Sequence, residues 1–163
     1  MQCVTEFNEL STERGTYVLI LNASSLVSIN VASLGQVTLN EGYYAYVGSA
    51  KVGIKTRVGR HIKLAMLKAG KLRWHLDYVL VNSNITLHSL IYINNSYIEH
   101  EVAQALYRHR NIDVAVRGFG SSDCNCVSHF FKLNSSQDPS MFIASLIKQM
   151  GYIPCILKLS TGQ

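Results

Sequence analysis

The sequence predicts an α+β fold, a small, mostly antiparallel sheet with helices packed on it. Three observations carry this. Apolar runs with the alternation and the β-branched and aromatic content of strands recur along the chain. Stretches with apolar residues every three or four positions stand among them. The order in which strands and helices follow one another suits helices laid on one small sheet. A length of 163 residues, with 48% hydrophobic and 15% charged side chains, fits a single globular domain and excludes a disordered chain.

Residues 16–21, after Gly15, form an apolar run of high β-propensity, and 26–31 alternate as a half-buried strand should. The stretch Asn22-Ala23-Ser24-Ser25 between them reads as a hairpin loop. Residues 43–47 make a third strand bounded by Gly42 and Gly48, with Tyr44 and Tyr46 on one face. Over 53–69 the spacing is helical, with Ile54, Val58, Ile62 and Met66 as the apolar stripe and Gly70 as the stop. Arg57 and His61 lie one turn apart beside that stripe.

Residues 75–81 and 85–93 read as two strands around Asn82-Ser83-Asn84, and 97–108 as a helix with Ile98, Val102, Ala105 and Leu106 inward. Glu99 falls at the edge of that buried stripe. Short strands near Val114 and over 127–133 flank a run of small and polar residues, 118–126. Residues 134–139 read as a linker before a helix over 141–150 and an apolar tail over 152–159. The expected organisation is a main domain over 1–133 and an extension over 134–163 packed on it.

No apolar run approaches the roughly 18 residues a membrane helix needs, and residues 1–7 lack a secretory pattern. A cytoplasmic location with no membrane partner is therefore expected. Four cysteines, two of them (Cys3 and Cys155) isolated, fit reduced thiols better than a disulfide scaffold. The net charge is +5, and eight of the 15 basic residues fall within 51–73: Lys51, Lys55, Arg57, Arg60, Lys63, Lys68, Lys71 and Arg73. No acid occurs between Glu41 and Asp77. Such a block is either a solvated helix face or a footprint for a polyanion, and the neighbouring Tyr43, Tyr44, Tyr46, His61, Trp74 and His75 favour phosphate chemistry.

Two strand tyrosines (Tyr17, Tyr46), an arginine and a histidine one helical turn apart (Arg57, His61) and a carboxylate on another helix (Glu99) are residue types that phosphodiester hydrolysis uses. A base must activate water, a cation must stabilise the pentacovalent phosphate, and a hard oxygen must hold a divalent ion. In order and spacing, Gly15-Thr16-Tyr17, Tyr46-Val47-Gly48-Ser49-Ala50-Lys51, Arg57, His61 and Glu99 resemble the GIY-YIG nuclease superfamily. More narrowly, residues 15–133 look like the small, mainly prokaryotic Uri-type endonuclease family. That likeness rests on Gly42-Tyr43-Tyr44-Ala45-Tyr46-Val47-Gly48-Ser49-Ala50, on Trp74-His75-Leu76-Asp77-Tyr78, and on Gly118-Phe119-Gly120-Ser121-Ser122-Asp123-Cys124 with Cys126, Ser128 and His129.

The resemblance implies a magnesium- or manganese-dependent endonuclease acting on nucleic acid, DNA in particular. Tyr17 would be the general base or would position the attacking water. Because an unperturbed tyrosine has a pKa near ~10, the base role calls for a cation to stabilise phenolate, and Arg57 is the candidate. Tyr46 would contact phosphate, Arg57 would grip a phosphate oxygen with its fork of donors, and His61 would be a phosphate ligand or proton carrier. Glu99, preferred to Glu101 on its spacing to Val102 and Ala103, would hold the metal. Gly48 would let the backbone turn closely beneath the substrate. Ser49, Lys51, Arg60, Trp74, His75, Ser122 and Asp123 complete the expected substrate contacts.

The sequence departs from the superfamily pattern in one respect that bears on the chemistry: the asparagine that commonly closes the site has no clear counterpart. This keeps a non-catalytic nucleic-acid-binding module of the same fold as the alternative. A third reading places a small-ligand site in 118–129. Cys124-x-Cys126 with His129 lacks the second ligand pair of a structural zinc site, which argues against zinc. The oligomeric state is left open.

Overall fold

In the computed structural model, which describes residues 3–121 and 124–159, strand β1 (Gly15–Ala23) is paired along its length on both sides. All but one of its nine residues are buried. An uninterrupted apolar run suits such a place, because both faces of a mid-sheet strand are covered. After β1 come β2 (Val27–Asn30), β3 (Gln36–Leu39), β4 (Gly42–Ala50), α1 (Ile54–Leu67), α2 (His75–Leu80) and β5 (Ile85–Asn94). The chain continues through α3 (Glu99–Arg108), β6 (Ile112–Val114), β7 (Phe130–Leu133), α4 (Pro139–Gln149) and β8 (Cys155–Lys158). Six strands form one sheet in the order β6-β7-β4-β1-β5-β8, each pair antiparallel, and β2 and β3 make a separate hairpin. The fold is α+β, as the sequence predicts.

Alternate residues of β1 feed two cores. Tyr17, Leu19 and Leu21 pack with Ile54, Val58 and Leu64 of α1, Leu76, Val79 and Leu80 of α2, and the inner face of the β2–β3 hairpin. Val18 and Ile20 face the other way, against Val102 and Leu106 of α3 and Phe142, Ile143 and Ile147 of α4. The sheet therefore lies between α1 and α2 on one side and α3 and α4 on the other.

Several sequence expectations are corrected. β2 does not form a hairpin with β1; it pairs with β3, residue for residue from Val27 with Leu39 to Asn30 with Gln36. Both are strands with one buried face, so they match each other, whereas both sides of β1 are taken by β4 and β5. Residues 75–80 are helix α2, not a strand. Leu76, Val79 and Leu80, spaced by three and four, are all fully buried, and Asp77 caps the first turn by accepting from the Trp74 backbone N–H. On α1 the buried stripe runs Ile54, Val58, His61, Leu64 and Ala65, while Met66 is exposed. Four-residue spacing drifts around a 3.6-residue helix, so a strict i+4 series leaves the core within three turns. On α3, Ala103 rather than Ala105 is buried.

α4 belongs to the second core and β8 pairs with Ser89–Tyr92 of β5, so the described part of residues 134–159 completes the same sheet. Cys155 at the start of β8 is bonded to Cys3 in a disulfide, which corrects the expectation of reduced thiols there. Their separation of 152 residues hid the pairing. Val4, next to Cys3, donates its N–H to the hydroxyl of Tyr92, the residue opposite Cys155, and this places the two sulfurs side by side. Among the described residues no helix is long and apolar enough to cross a membrane.

Candidate functional site

Gly15 pairs with Ala50 on one side and with Asn94 on the other, so β1 begins where β4 and β5 end. α1 follows β4 and α3 follows β5, and thus a helix from each face of the sheet starts at this same end. Between them lies a cleft of about 590 Å³. Of the residues expected from sequence, Tyr17, Tyr46, Ser49, Lys51, Arg57, Trp74, His75 and Glu99 line it. Arg73, Tyr97, His100, Glu101 and Gly120 join them. Ser122 and Asp123 lie outside the described residues.

Thr16 fixes the relation between the two halves of the cleft. Its buried hydroxyl donates to the Ser96 carbonyl at 2.7 Å and accepts from the Ile98 N–H at 2.9 Å. The strand residue before Tyr17 thus holds the residue before Glu99, so the tyrosine and the carboxylate are set by one hydroxyl.

Tyr17 is 1% exposed and its hydroxyl lies 2.7 Å from His61 Nε2. His61, 1% exposed, sits behind Tyr17 rather than on the cleft wall. Burial lowers its pKa to about 3, with Asp77 opposing and Arg57 and Arg60 adding to the effect, so the imidazole is neutral at ordinary pH. Among the described residues its Nδ1 has no partner, and the hydrogen bond of the ring is the one to Tyr17. Burial also raises Tyr17 well above an ordinary phenol; Tyr46 adds to this and Arg57 opposes it without prevailing. Tyr46 is raised for the same reasons, burial first and Glu99 next. The expectation that Arg57 would bring Tyr17 to phenolate is thereby corrected: desolvation outweighs the guanidinium, and Tyr17 keeps its proton in the free protein.

Gly48 is opposite Tyr17 in the β1–β4 register. A Cβ there would collide with the Cζ ring carbon of Tyr17 and come within 2.5 Å of its hydroxyl oxygen. The glycine clears space for the Tyr17 side chain.

Arg57 and Arg60 both pack on the Trp74 ring, with guanidinium carbons 4.4 and 4.3 Å from its centroid. Their roles differ. Arg60 is locked into a two-pronged pair with Asp77, both bonds 2.8 Å, and also donates to the Lys71 carbonyl. It braces Asp77 and does not line the cleft. The buried Asp77 carboxylate also accepts from the backbone N–H groups of Arg73 (2.7 Å) and Trp74 (2.9 Å). Burial alone would raise its pKa, but these donors and Arg60 hold it below the usual carboxylate value. Asp77 therefore places Trp74, and through it Arg57. His75 accepts at Nδ1 from the Gly120 N–H at 2.9 Å, which ties α2 to the loop carrying the third motif. Gly120 has φ +67°, and a Cβ there would sit 3.2 Å from Tyr46.

The basic block also divides. Lys55 donates to the Asn8 carbonyl, and Lys68 to the carbonyls of Leu80 and Ile85, while Lys51, Arg57 and Arg73 face the cleft. Glu99 opposes them. Its carboxylate oxygens lie 3.5 Å from His129 Nδ1 and 3.6 Å from His100 Nε2, with the side chain about a quarter exposed. Glu101 also lines the cleft, so the hard-oxygen donors are Glu99 and Glu101 beside the tyrosine hydroxyls.

Behind Glu99, His100, Cys124, Cys126 and His129 bring one donor atom each to within 4.8 Å of one another. Cys124 and Cys126 are half-buried and gathered with the two histidines. Sequence reasoning missed His100 because it lies on a different element from the cysteines. Its position directly after Glu99, at the start of a helix, was the available signal. Asp77 was visible in the second motif but was not assigned a site role.

The chain belongs to the DUF123 family, a domain of unknown function, which matches residues 16–152. No curated protein and no solved structure matches it.

Proposed function

We propose that this chain is a divalent-metal-dependent endonuclease that hydrolyses phosphodiester bonds in DNA at the β1–β4–α1–α3 cleft. One observation carries the reading: Tyr17, Tyr46, Arg57 and Glu99, which lie on four elements and were singled out by their resemblance to the GIY-YIG pattern, line one cleft. Cations dominate one wall (Lys51, Arg57, Arg73) and carboxylates occupy the other (Glu99, Glu101), as a phosphate bridging to a metal requires.

The residues fit a magnesium or manganese ion. Magnesium is held by one or two carboxylates and completes its shell with water and substrate phosphate, and Glu99 and Glu101 offer such oxygens in an open cleft. A bound ion there would polarise the phosphoryl oxygen. Arg57, steadied on Trp74, grips a non-bridging oxygen and stabilises the charge that develops on the phosphorus oxygens. The Tyr46 hydroxyl donates to phosphate. The Tyr17 hydroxyl accepts a proton from the attacking water while passing its own to His61 Nε2, 2.7 Å away. Such a relay avoids free phenolate, which burial makes costly; burial penalises the imidazolium as well, so the relay relies on the charge of the arriving phosphate to offset that cost.

The burial of Tyr17 and its raised pKa favour a second reading, a binding module that kept the fold and lost turnover. Wild-type protein, Tyr17→Phe, Arg57→Ala and Glu99→Ala are compared on supercoiled, single-stranded, nicked and branched DNA with magnesium or manganese. Cleavage by the wild type that falls about 100-fold or more in Arg57→Ala supports the nuclease. Salt-sensitive binding with no cleavage by any of the four establishes the binding module instead.

A further inference from the structure

We propose that His100, Cys124, Cys126 and His129 form a structural zinc site that staples the 115–129 loop to the start of α3. This goes beyond the nuclease reading and does not depend on it. Two thiolates and two imidazoles with their donor atoms within 4.8 Å of one another are the ligand number and ligand type of a closed tetrahedral zinc centre. The thiolate pair sets it apart from magnesium, manganese or calcium, which prefer hard oxygen.

The surroundings of His129 supply a second, independent observation. Its Nε2 lies 3.4 Å from Cys124 Sγ, while its Nδ1 faces the Val47 carbonyl at 3.2 Å and the Glu99 carboxylate at 3.5 Å. A zinc-bound histidine needs this division of labour, one nitrogen for the metal and the other fixed by a carbonyl or carboxylate that sets tautomer and ring orientation. His129 is buried and anchored by its backbone as well, its N–H donating to Phe119 O and its carbonyl accepting from Val47 N–H. The ligand is therefore held before any metal arrives.

The loop needs a staple. Between β6 and β7 lie 15 residues, and the described ones, 115–121 and 124–129, carry no helix or strand, at a length where loops without regular structure are uncommon. Its first half is pinned by the buried Phe119, stacked on Phe130, but the stretch that carries Cys124 and Cys126 is half-buried and offers little apolar surface. Zinc would tie that stretch to His100 on α3, giving up the two thiol protons to solvent and leaving a neutral centre. Because His100 follows Glu99 and His129 faces it, the same metal would fix the Glu99 carboxylate at the cleft wall. The role is structural, since four protein ligands leave no open position for water or substrate.

Untagged protein, purified under reducing conditions without added metal, is analysed for metal content, then stripped with chelator and refilled with zinc or cobalt(II) in the absence of nucleic acid. The expected result is about one zinc per chain, and a cobalt form with the absorption of four-coordinate cobalt and a thiolate-to-cobalt charge-transfer band. Cys124→Ser/Cys126→Ser loses both the zinc and that band, and Glu99→Gln weakens zinc binding about 10–100-fold by releasing His129. Should the double variant not fold, the wild-type cobalt spectrum and the protection of two thiols from alkylation by zinc decide the matter. Wild-type protein that takes up neither metal, a cobalt spectrum without thiolate character, or full zinc retention by a folded double variant overturns the proposal. Metal content is read without cleavage, so its failure leaves the nuclease reading standing.

Discussion

Acidification from pH 7 to pH 5 is expected to remove about 2 kcal/mol of folding stability through His61 alone. In the unfolded chain a histidine titrates near ~6.5, whereas burial holds His61 at about 3 in the fold, with Asp77 favouring the charged form and Arg57 and Arg60 opposing it. Between those values the unfolded state binds a proton that the native state refuses. Stability therefore falls with pH, by about 1.4 kcal/mol per unit, from near pH 6.5 down towards pH 3. The interval from 6.5 to 5 gives the 2 kcal/mol. The assay is urea unfolding of wild type and His61→Gln at pH 7, 6 and 5, followed by circular dichroism and by the fluorescence of Trp74, the single tryptophan. Glutamine can still meet the Tyr17 hydroxyl but cannot titrate. The gap in stability between the two proteins should therefore narrow by about 2 kcal/mol across this range. Parallel losses would show that His61 takes up a proton within the fold, and the neutral acceptor that the Tyr17 relay needs would be gone.

Asp77→Asn is expected to cost about 3 kcal/mol, since it leaves Arg60 unpaired and gives four donor contacts one oxygen fewer; thermal melts measure the loss, and altered Trp74 emission reports the loosened ring. Gly48→Ala should lose about 1–3 kcal/mol by forcing Tyr17 aside, and denaturant curves equal to the wild type would refute that packing role. Thr16→Val, nearly isosteric, should cost about 1–3 kcal/mol by orphaning the Ile98 N–H, with faster hydrogen exchange at the start of α3 as its local sign. Cys155→Ser should lower stability by up to about 5 kcal/mol on a chain-entropy basis, given the 152 residues enclosed; reductant should bring the wild type to the same melting point and leave the variant unmoved.

Much of the fold was legible because most elements declare one periodicity. β1, β4, β5, α1, α3 and α4 are long enough for alternation or helical spacing to decide. α2 was misread because six residues containing Leu76, Val79 and Leu80 satisfy a strand-like apolar run and a helical one equally, and only the capping bond from Trp74 to Asp77 separates them. β3 was missed because a four-residue strand gains its identity from its partner β2. Within the site, residue types and order led to Tyr17, Tyr46, Arg57 and Glu99, yet the duties of their neighbours were not written locally. Gly48 is dictated by the ring of Tyr17 across a strand pair, Arg60 by Asp77 on another helix, and His75 by a backbone N–H from the 118–120 turn. The ligand set at His100 is the same case, since no spacing rule joins a helix start to a loop that comes later in the chain.

Where the cleft sits follows from how the two cores are divided. Tyr17 and His61 belong to the α1 side, Tyr17 at the floor of the cleft and His61 buried behind it, whereas Glu99 starts α3 on the opposite side, and at the end of β1 the two helical layers come together. A site at that junction has a dry floor with neutral proton carriers and a wet rim with Lys51, Arg57 and Arg73. The dry floor strengthens any charge that an arriving phosphate brings, and negative charge beside His61 favours its protonated form, so substrate itself would move the imidazole towards the state a proton relay must reach. The same junction makes the site vulnerable. Two contacts across it bear on Glu99 directly, the Thr16 hydroxyl to Ile98 and the His129 ring to Glu99. Loss of either joint is therefore expected to displace Glu99 relative to Tyr17 while both cores remain packed, which is how activity could be lost in a chain that still folds.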